Sequence, residues 1–202
     1  MVRAYTQEHV YRHPWSRVTS AAFRKFTHPS TPILLSHITD VHTLSRHLDS
    51  NNGVFTTTRS ITVKSPTLPF LVRRFLSSPS VVIHCVESTV VHAQNRTMDI
   101  VARNVSMRGL IEVEESSRYV PHPENEEEWT MFRQETNIRC KPLSVIAAVA
   151  EKVEARCAER FLQNSVRGRE IMERICIDLQ KDSVVVETGA VDATEALSSS
   201  MW

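Results

Sequence analysis

The chain has 202 residues, of which 41% are hydrophobic, and its 24 basic and 23 acidic side chains leave a formal net charge of +1 at pH 7. This length suits one domain with or without a tail, and the balanced charge argues against a dedicated nucleic-acid binder, which needs a basic surface. No apolar run of about 18 residues occurs, so no transmembrane helix is predicted, and residues 1–15 lack the apolar stretch of a secretory signal.

The sequence contains no pattern typical of a metal site or of an active site. Its four cysteines form no C-x-x-C pair, so we expect reduced, buried thiols rather than zinc ligands. There are only four glycines, and no G-x-S-x-G, P-loop or G-x-G-x-x-G motif occurs. We therefore predict no cofactor, no metal and no catalytic residue.

Apolar runs bounded by turn residues predict a series of strands. They cover residues 2–10, 33–48, 54–63, 81–91, 97–106, 110–120 and 129–140. After the first strand, Ser16 is a plausible N-cap for a short helix that continues to about Lys25. Pro29 and Pro32 end that helix, and residues 121–128 predict an acidic loop.

Residues 68–76 interrupt the strand series with a short apolar and basic segment between Ser/Pro joints. Bulky apolar side chains beside two arginines are typical of a surface helix, and equally of a lid that touches an anionic membrane. The candidate lid and membrane-contact residues are Leu68, Phe70, Leu71, Arg73, Arg74 and Phe75.

Residues 142–179 predict one long helix, and the polar, aperiodic residues 180–202 predict a disordered tail. Taken together, the elements predict an α+β fold. A concave antiparallel sheet is closed by the long C-terminal helix and the short lid helix, and these elements enclose a cavity.

The long helix carries an apolar stripe that is interrupted by polar residues. At 100° per residue the stripe comprises Ile146, Ala150, Val153, Cys157, Phe161, Ile171 and Ile175, which predicts a buried face. Arg160, Asn164 and Arg167 lie within or at the edge of the same arc, and Gly168 would allow a close approach there. Burying an unpaired charge costs several kcal/mol. Either the arginines reach the rim and pair with a sheet glutamate, or the site receives an anion such as phosphate.

Short stretches that follow one another in a fixed order over residues 1–179 match a known protein family. They are residues 8–15, 23–26, 45–49, 57–59, 68–69, 87–91, 96–98, 113–115, Tyr119 with 121–123, and Asn164 with 167–170. On these stretches the chain resembles the PRELI/slowmo (MSF1-like) domain family, in its slowmo-like branch and closest to plant-type members. The resemblance implies a lipid-transfer domain over residues 1–179, with 180–202 as the tail.

The resemblance also implies a function. Family members carry phosphatidic acid, or phosphatidylserine in the slowmo branch, across the mitochondrial intermembrane space, and they pair with a small twin-CX9C helical protein. We therefore expect a phospholipid carrier that makes transient contact with anionic membrane. The alternatives are an adaptor or regulatory domain with a filled or small cavity and, third, an enzyme that acts on a bound lipid.

The family's positions for the lipid head group can be carried over one by one. A basic residue after the aromatic pair of the first helix is Lys25 here, and polar positions on the long helix match Arg160, Asn164 and Arg167. Arg59 and Lys64 complete the predicted set. The chain departs from the family where carriers place a histidine after the first proline-rich turn, because Ile33 stands there. The lysines before the lid are reduced to Lys64.

Overall fold

The structure is a computed structural model, and it describes residues 2–65, 81–109, 111–140 and 147–199. In chain order the strands are β1 (Val2–Tyr11), β2 (Ile38–Asp49), β3 (Val54–Ser65), β4 (Val81–His92), β5 (Thr97–Asn104), β6 (Ile111–His122) and β7 (Asn125–Cys140). The helices are α1 (Trp15–Arg24), α2 (Thr31–Leu34) and α3 (Ala147–Ser199).

The seven strands form one antiparallel sheet in the order β1-β7-β6-β5-β4-β3-β2. From β2 to β7 each strand pairs with its neighbour in sequence, and β1 closes the series beside β7. Such a meander needs only short connections between strands. Helices α1 and α3 pack on one face of the sheet, so the predicted α+β fold with a C-terminal helix is confirmed.

The core lies where α1 and the C-terminal half of α3 meet the sheet. Aromatic and apolar side chains from five strands, including Tyr11 and Phe132, pack there against Val18 of α1 and against Ile171 and Ile175 of α3. Each of the five side chains named here is at most 3% exposed. Full burial of one such side chain contributes about 1.5–3 kcal/mol, so this cluster anchors both helices.

Several predicted boundaries were wrong at the start of the chain. The N-cap of α1 is Pro14 rather than Ser16, because the Pro14 carbonyl accepts the first backbone hydrogen bonds of the helix, from Arg17 and Val18. The strand expected from residue 33 begins only at Ile38, because residues 31–34 form α2 with a proline in its first turn, where proline suits a helix.

The predicted acidic loop at residues 121–128 was also wrong. Strand β6 continues to His122 and β7 begins at Asn125, so only Pro123 and Glu124 form the turn, and the other three acidic residues belong to β7. Two of them, Glu126 and Glu127, pair with Arg96 at 3.2 and 2.8 Å, which offsets their mutual repulsion.

Helix α3 continues to Ser199, past the predicted end at Leu179. The structure therefore describes helix over most of the segment that was predicted to be a disordered tail, while the division of the chain near residue 179 stays a prediction. The predicted lid at residues 68–76 lies outside the described residues. No helix in the described ranges is long and apolar enough to cross a membrane.

Candidate functional site

The candidate site begins at Lys25, which caps the C-terminus of α1. The Thr31 hydroxyl donates a 2.6 Å hydrogen bond to the Lys25 carbonyl oxygen and so fixes the turn that leads into α2. The Lys25 ammonium lies 5.4 Å from the Phe26 ring centroid and 3.9 Å from the position that a Cβ atom on Gly168 would occupy. The close approach predicted at Gly168 is therefore made by Lys25.

A histidine that the sequence analysis did not single out lies in the same region. His37 is half-buried just before β2, and its backbone carbonyl accepts a 2.7 Å hydrogen bond from the Lys64 backbone N–H. Burial lowers the pKa of His37, and the positive charges of Lys25, Arg167 and Arg160 lower it further. The charges of three of the predicted head-group residues therefore act on the pKa of one histidine.

The arginines of α3 are exposed, which agrees with the alternative that they reach the rim of the buried face. Arg160 and Arg167 are both exposed and Asn164 between them is half-buried, whereas Ile171 and Ile175 farther along the stripe are buried as predicted. The spacing of four and three residues keeps all three polar side chains on one helix face. Their charge therefore faces solvent at the border of the packed interface, and no large desolvation cost arises.

The other predicted cation, Arg59, is buried on the inner face of β3. Its guanidinium Nη1 lies 3.7 Å from Glu87 Oε1, which belongs to the cross-strand partner residue on β4. The guanidinium carbon also lies 5.4 Å from the Phe23 ring and 5.7 Å from the Phe26 ring. Arg59 and Glu87 are each 8% exposed. Removing either partner of such a buried pair would leave an uncompensated buried charge, which is strongly destabilising.

A second inner carboxylate, Glu115 on β6, lies close to the same charges. Burial raises the pKa of Glu115, Lys25 lowers it, Glu87 raises it, and a hydrogen bond with Gln134 lowers it. Gln134 is itself held on both sides, because its amide donates to Ser117 at 3.2 Å and accepts from the Ser165 hydroxyl at 2.6 Å. The polar interior thus connects the sheet to α3.

The residues around Lys25 and Arg59 enclose a cavity of about 20 Å³. This is roughly the space that one water molecule needs. The cavity is lined by Ala22, Phe23, Lys25, Phe26, Arg59, Glu87, Thr89, Ile100, Tyr119 and Met172.

A broader, open depression of about 500 Å³ lies mainly on the opposite face of β4 and β5. Two arginines border it, and both are paired with glutamates: Arg103 with Glu114 at 2.7 Å and Arg108 with Glu112 at 3.7 Å. By contrast, Lys25 and Arg167 form no ion pair among the described residues. The region around Lys25 and Arg167 is therefore a better anion site than the outer depression.

Lys64 does not join the other predicted head-group residues. Side chains alternate between the two faces of a strand, and the buried Arg59 and Ile61 lie on the inner face of β3. Lys64 accordingly belongs to the outer face, where it is exposed. The membrane-contact residues predicted between 68 and 75 lie outside the described residues.

Sequence reasoning missed three polar residues of this region: His37, Glu87 and Glu115. Glu87 and Glu115 stand within stretches that carried the family resemblance, but only the strand register pairs Glu87 with Arg59, and the pKa of Glu115 is raised by burial and lowered by the charge of Lys25. In the described parts of the chain no group of three or more His, Cys, Asp or Glu residues is placed to hold a metal ion. The thiol of Cys176 is fully buried, and burial raises its pKa to about 12, so it packs as a small apolar group.

Comparison with known proteins places this geometry in context. A family model described as "PRELI-like family" matches residues 16–183. The chain is 36% identical over 178 residues to "Protein slowmo homolog" of Dictyostelium discoideum, a match that covers 88% of this chain and 73% of that protein. It is 27% identical over 168 residues to "Protein UPS2, mitochondrial" of Saccharomyces cerevisiae, covering 83% of this chain and 70% of that protein.

Among solved structures, the fold is similar to that of the ZhuI aromatase/cyclase from Streptomyces sp. R1128. The TM-score is 0.57 at 9% sequence identity, and the match covers 87% of this chain and 94% of that chain. At this level of identity the similarity concerns the fold alone.

Proposed function

Because the chain belongs to the PRELI-like family, we propose that it is a carrier that moves a phospholipid with an anionic head group between membranes. The observation that supports this most is the group of basic side chains at the open end of the helix–sheet interface. Lys25, Arg160 and Arg167 all act on His37, and the first and last of them have no carboxylate partner among the described residues. Like charges held together favour an anion between them.

The head-group phosphate is the anion that we assign to this site. Guanidinium groups match phosphate oxygens in a bidentate geometry, and Asn164 adds a neutral amide on the same helix face. A bound phosphate would also favour the protonated form of His37, which then donates a further hydrogen bond. The cargo in this proposal is phosphatidic acid or phosphatidylserine.

The acyl chains need cover from water during transfer. Each buried CH₂ contributes ~0.8 kcal/mol, so two chains represent roughly 20 kcal/mol that exposure would forfeit. The inner face of the sheet offers half-buried apolar positions for this purpose, among them Phe55, Ile100 and Val113. We assign the segment at residues 68–76 the role of a lid that opens at an anionic membrane.

The proposed place of action is the mitochondrial intermembrane space. The related yeast protein is named as mitochondrial, and the two membranes that border this space are the donor and acceptor that a carrier of anionic lipid needs. We further propose a small twin-CX9C helical protein as partner, on the strength of the family resemblance. The names of the two relatives describe no reaction. Transfer of a lipid between membranes requires no chemical conversion, so the proposal includes no catalytic step.

A second candidate function is an adaptor whose interior stays filled. The observation that favours it is the small volume, about 20 Å³, of the cavity beside Lys25 and Arg59. A phospholipid fits there only if the interface opens or if the space continues beyond the described residues. An adaptor predicts that no lipid co-purifies with the folded protein.

Native mass spectrometry of the full-length protein after incubation with vesicles tests the proposal. The vesicles contain phosphatidic acid, phosphatidylserine or phosphatidylcholine, and the expected result is one anionic lipid per protein. Arg160→Glu/Arg167→Glu should weaken lipid binding about a hundredfold, because each charge-assisted hydrogen bond is worth about 1.5–3 kcal/mol.

The matched control is Arg118→Glu/Arg133→Glu, which makes the same charge change at exposed positions on the sheet and should keep its lipid. Absence of lipid from the folded wild-type protein, with or without the small partner, would refute the carrier and favour the adaptor. Chemical conversion of the bound lipid would instead indicate an enzyme.

A further inference from the structure

One turn of α3 contacts two neighbouring strands of the sheet through polar side chains. The Ser165 hydroxyl donates a 2.6 Å hydrogen bond to Oε1 of Gln134 on β7, and Arg169 Nη1 donates at 2.8 Å to Oε1 of Gln7 on β1. Arg169 Nη1 also donates to the Ser165 hydroxyl at 2.9 Å. Because Gln7 and Gln134 are cross-strand partners, the four side chains form a closed polar ring between helix and sheet.

The sheet side of this ring is fixed. Gln134 is 6% exposed, and its amide also donates at 3.2 Å to Ser117, its cross-strand partner on β6. A buried amide group that loses a partner carries the full cost of its desolvation. Gln134 therefore favours the position of α3 in which Ser165 stays within hydrogen-bond distance.

The helix side of the ring contains a weak point. Gly168 lies between Ser165 and Arg169 in the interior of α3, where glycine is the least favourable residue after proline and is a frequent place for a helix to bend. A Cβ atom on Gly168 would meet the Lys25 ammonium nitrogen at 3.9 Å, an ordinary contact distance. An alanine would therefore fit, and what the glycine supplies is backbone freedom.

This weak point separates the two regions of α3. On its C-terminal side the helix is buried in the apolar cluster from Ile171 onward, and on its N-terminal side lie the exposed Arg160 and Arg167. A bend at Gly168 would move these arginines relative to the sheet and leave the apolar cluster intact. Ser165 lies on the moving side, so its hydrogen bond to the sheet resists that movement.

We propose that the Ser165–Gln134 hydrogen bond is a clasp that holds the helix–sheet interface closed, and that the interface opens when the clasp breaks and α3 bends at Gly168. A contact made in one of two conformations favours that conformation by the free energy of the contact. The cavity beside Lys25 and Arg59 holds about one water molecule, so a larger ligand needs such an opening. The link to lipid uptake rests on the proposed function, whereas the bend is a property of the chain without lipid.

Hydrogen exchange of the lipid-free, full-length protein, measured by mass spectrometry, tests the clasp. Ser165→Ala should speed exchange of the backbone amides of residues 160–168 about fivefold, the change expected from one lost hydrogen bond. Residues 171–177 should exchange as in wild type. Because alanine favours a helix, the variant should fold.

Two further variants separate the clasp from a general loosening of the helix. Ser165→Thr keeps the hydroxyl and should restore exchange to nearly the wild-type rate. Gly168→Ala stiffens the proposed bend and should slow exchange of residues 160–168 about fivefold.

Ser183→Ala is the matched control. It makes the same change at an exposed serine of α3 whose hydroxyl donates to the Gln180 carbonyl of the same helix at 2.8 Å, and exchange of residues 160–168 should stay at the wild-type rate. Wild-type exchange of that segment in Ser165→Ala would overturn the inference. Equal acceleration in Ser165→Thr and Ser165→Ala would overturn it as well.

Uptake of fluorescent phosphatidic acid from vesicles separates this inference from the proposed function. Ser165→Ala should take up the lipid faster than wild type, and Gly168→Ala should take it up more slowly. If the exchange rates change as expected but no variant takes up lipid, the clasp stands and the carrier is wrong. If wild type takes up lipid and Ser165→Ala matches it in both exchange and uptake, the carrier stands and the clasp is wrong.

Discussion

Two regions of α3 meet the rest of the molecule in different ways. Ile171, Met172, Ile175 and Cys176 are at most 2% exposed and belong to one apolar cluster with the sheet and α1. Arg160 and Arg167, earlier on the same helix, are exposed. Helix α3 is therefore anchored at one region, and its side chains form a polar, exposed border at the other.

Polar contacts reinforce the anchored region. Glu173 accepts hydrogen bonds from two histidines of the N-terminal segment, His9 at 3.0 Å and His13 at 3.1 Å. Arg17 of α1 donates to Gln180 at 3.1 Å. These bonds tie α3 to β1 and α1 beside the apolar cluster. We therefore expect any movement that admits a lipid to occur at the end that carries Arg160 and Arg167.

The largest expected effect comes from weakening the anchored region. Ile175→Ala removes buried methyl groups from a side chain that is 1% exposed, and we expect the free energy of unfolding to fall by about 4 kcal/mol because a cavity remains. Urea unfolding followed by circular dichroism measures this. Ile177→Ala, two residues away at 44% exposed, should change stability by less than about 0.5 kcal/mol. Equal losses in the two variants would mean that the anchored region is not where the structure places it.

Substitutions in the polar interior should affect stability in a coupled way, because the buried charges of Arg59 and Glu87 compensate each other. Arg59→Met leaves Glu87 buried without its partner, and we expect a loss of about 3 kcal/mol in the free energy of unfolding. This is the low end of the usual range, since the pair is 3.7 Å apart. Adding Glu87→Leu should restore most of the loss, because an apolar pair needs no ionic partner. If the double variant is as unstable as the single one, lost packing on Phe23 and Phe26 is the cause instead.

The sequence predicted the strands and helices better than it predicted which residues contact one another. Apolar runs bounded by turn residues predicted the strands, and helical spacing placed Ile171 and Ile175 on the buried side of α3. The same spacing placed Arg160 and Arg167 within or at the edge of that stripe and left open whether they are buried or reach its rim. Periodicity identifies a face, but it does not indicate where along the helix the burial ends.

Contacts between distant residues could not be predicted from one sequence. Arg59 and Glu87 are cross-strand partners only because β3 and β4 adopt one particular register, and His37 reaches the basic cluster only because α2 shifts the start of β2 to Ile38. The family resemblance predicted Lys64 as a head-group residue, whereas strand alternation turns it to the other face. These outcomes depend on pairing that local propensity does not encode.

The smallest expected effect concerns Glu115, whose ionisation makes the free energy of unfolding depend on pH. Burial raises the pKa of this carboxyl group in the folded protein, so the protonated form is favoured by folding and the ionised form costs stability. Its favourable contribution is therefore present below the pKa of the unfolded state, about 4.3, and is lost as the pH rises through the folded pKa. At neutral pH Glu115 is destabilising.

Glu115→Gln should accordingly raise the urea midpoint at neutral pH, because the amide keeps a polar partner for Gln134 without the charge. The gain should disappear at about pH 3, where the wild-type carboxyl is protonated in both states. A gain of equal size at both pH values would assign the effect to packing or to hydrogen bonding rather than to ionisation. The same variant removes a negative charge beside Lys25, so it should also bind phosphatidic acid more tightly in native mass spectrometry. Stabilisation without tighter lipid binding would place the head group away from Glu115, nearer to the exposed arginines of α3.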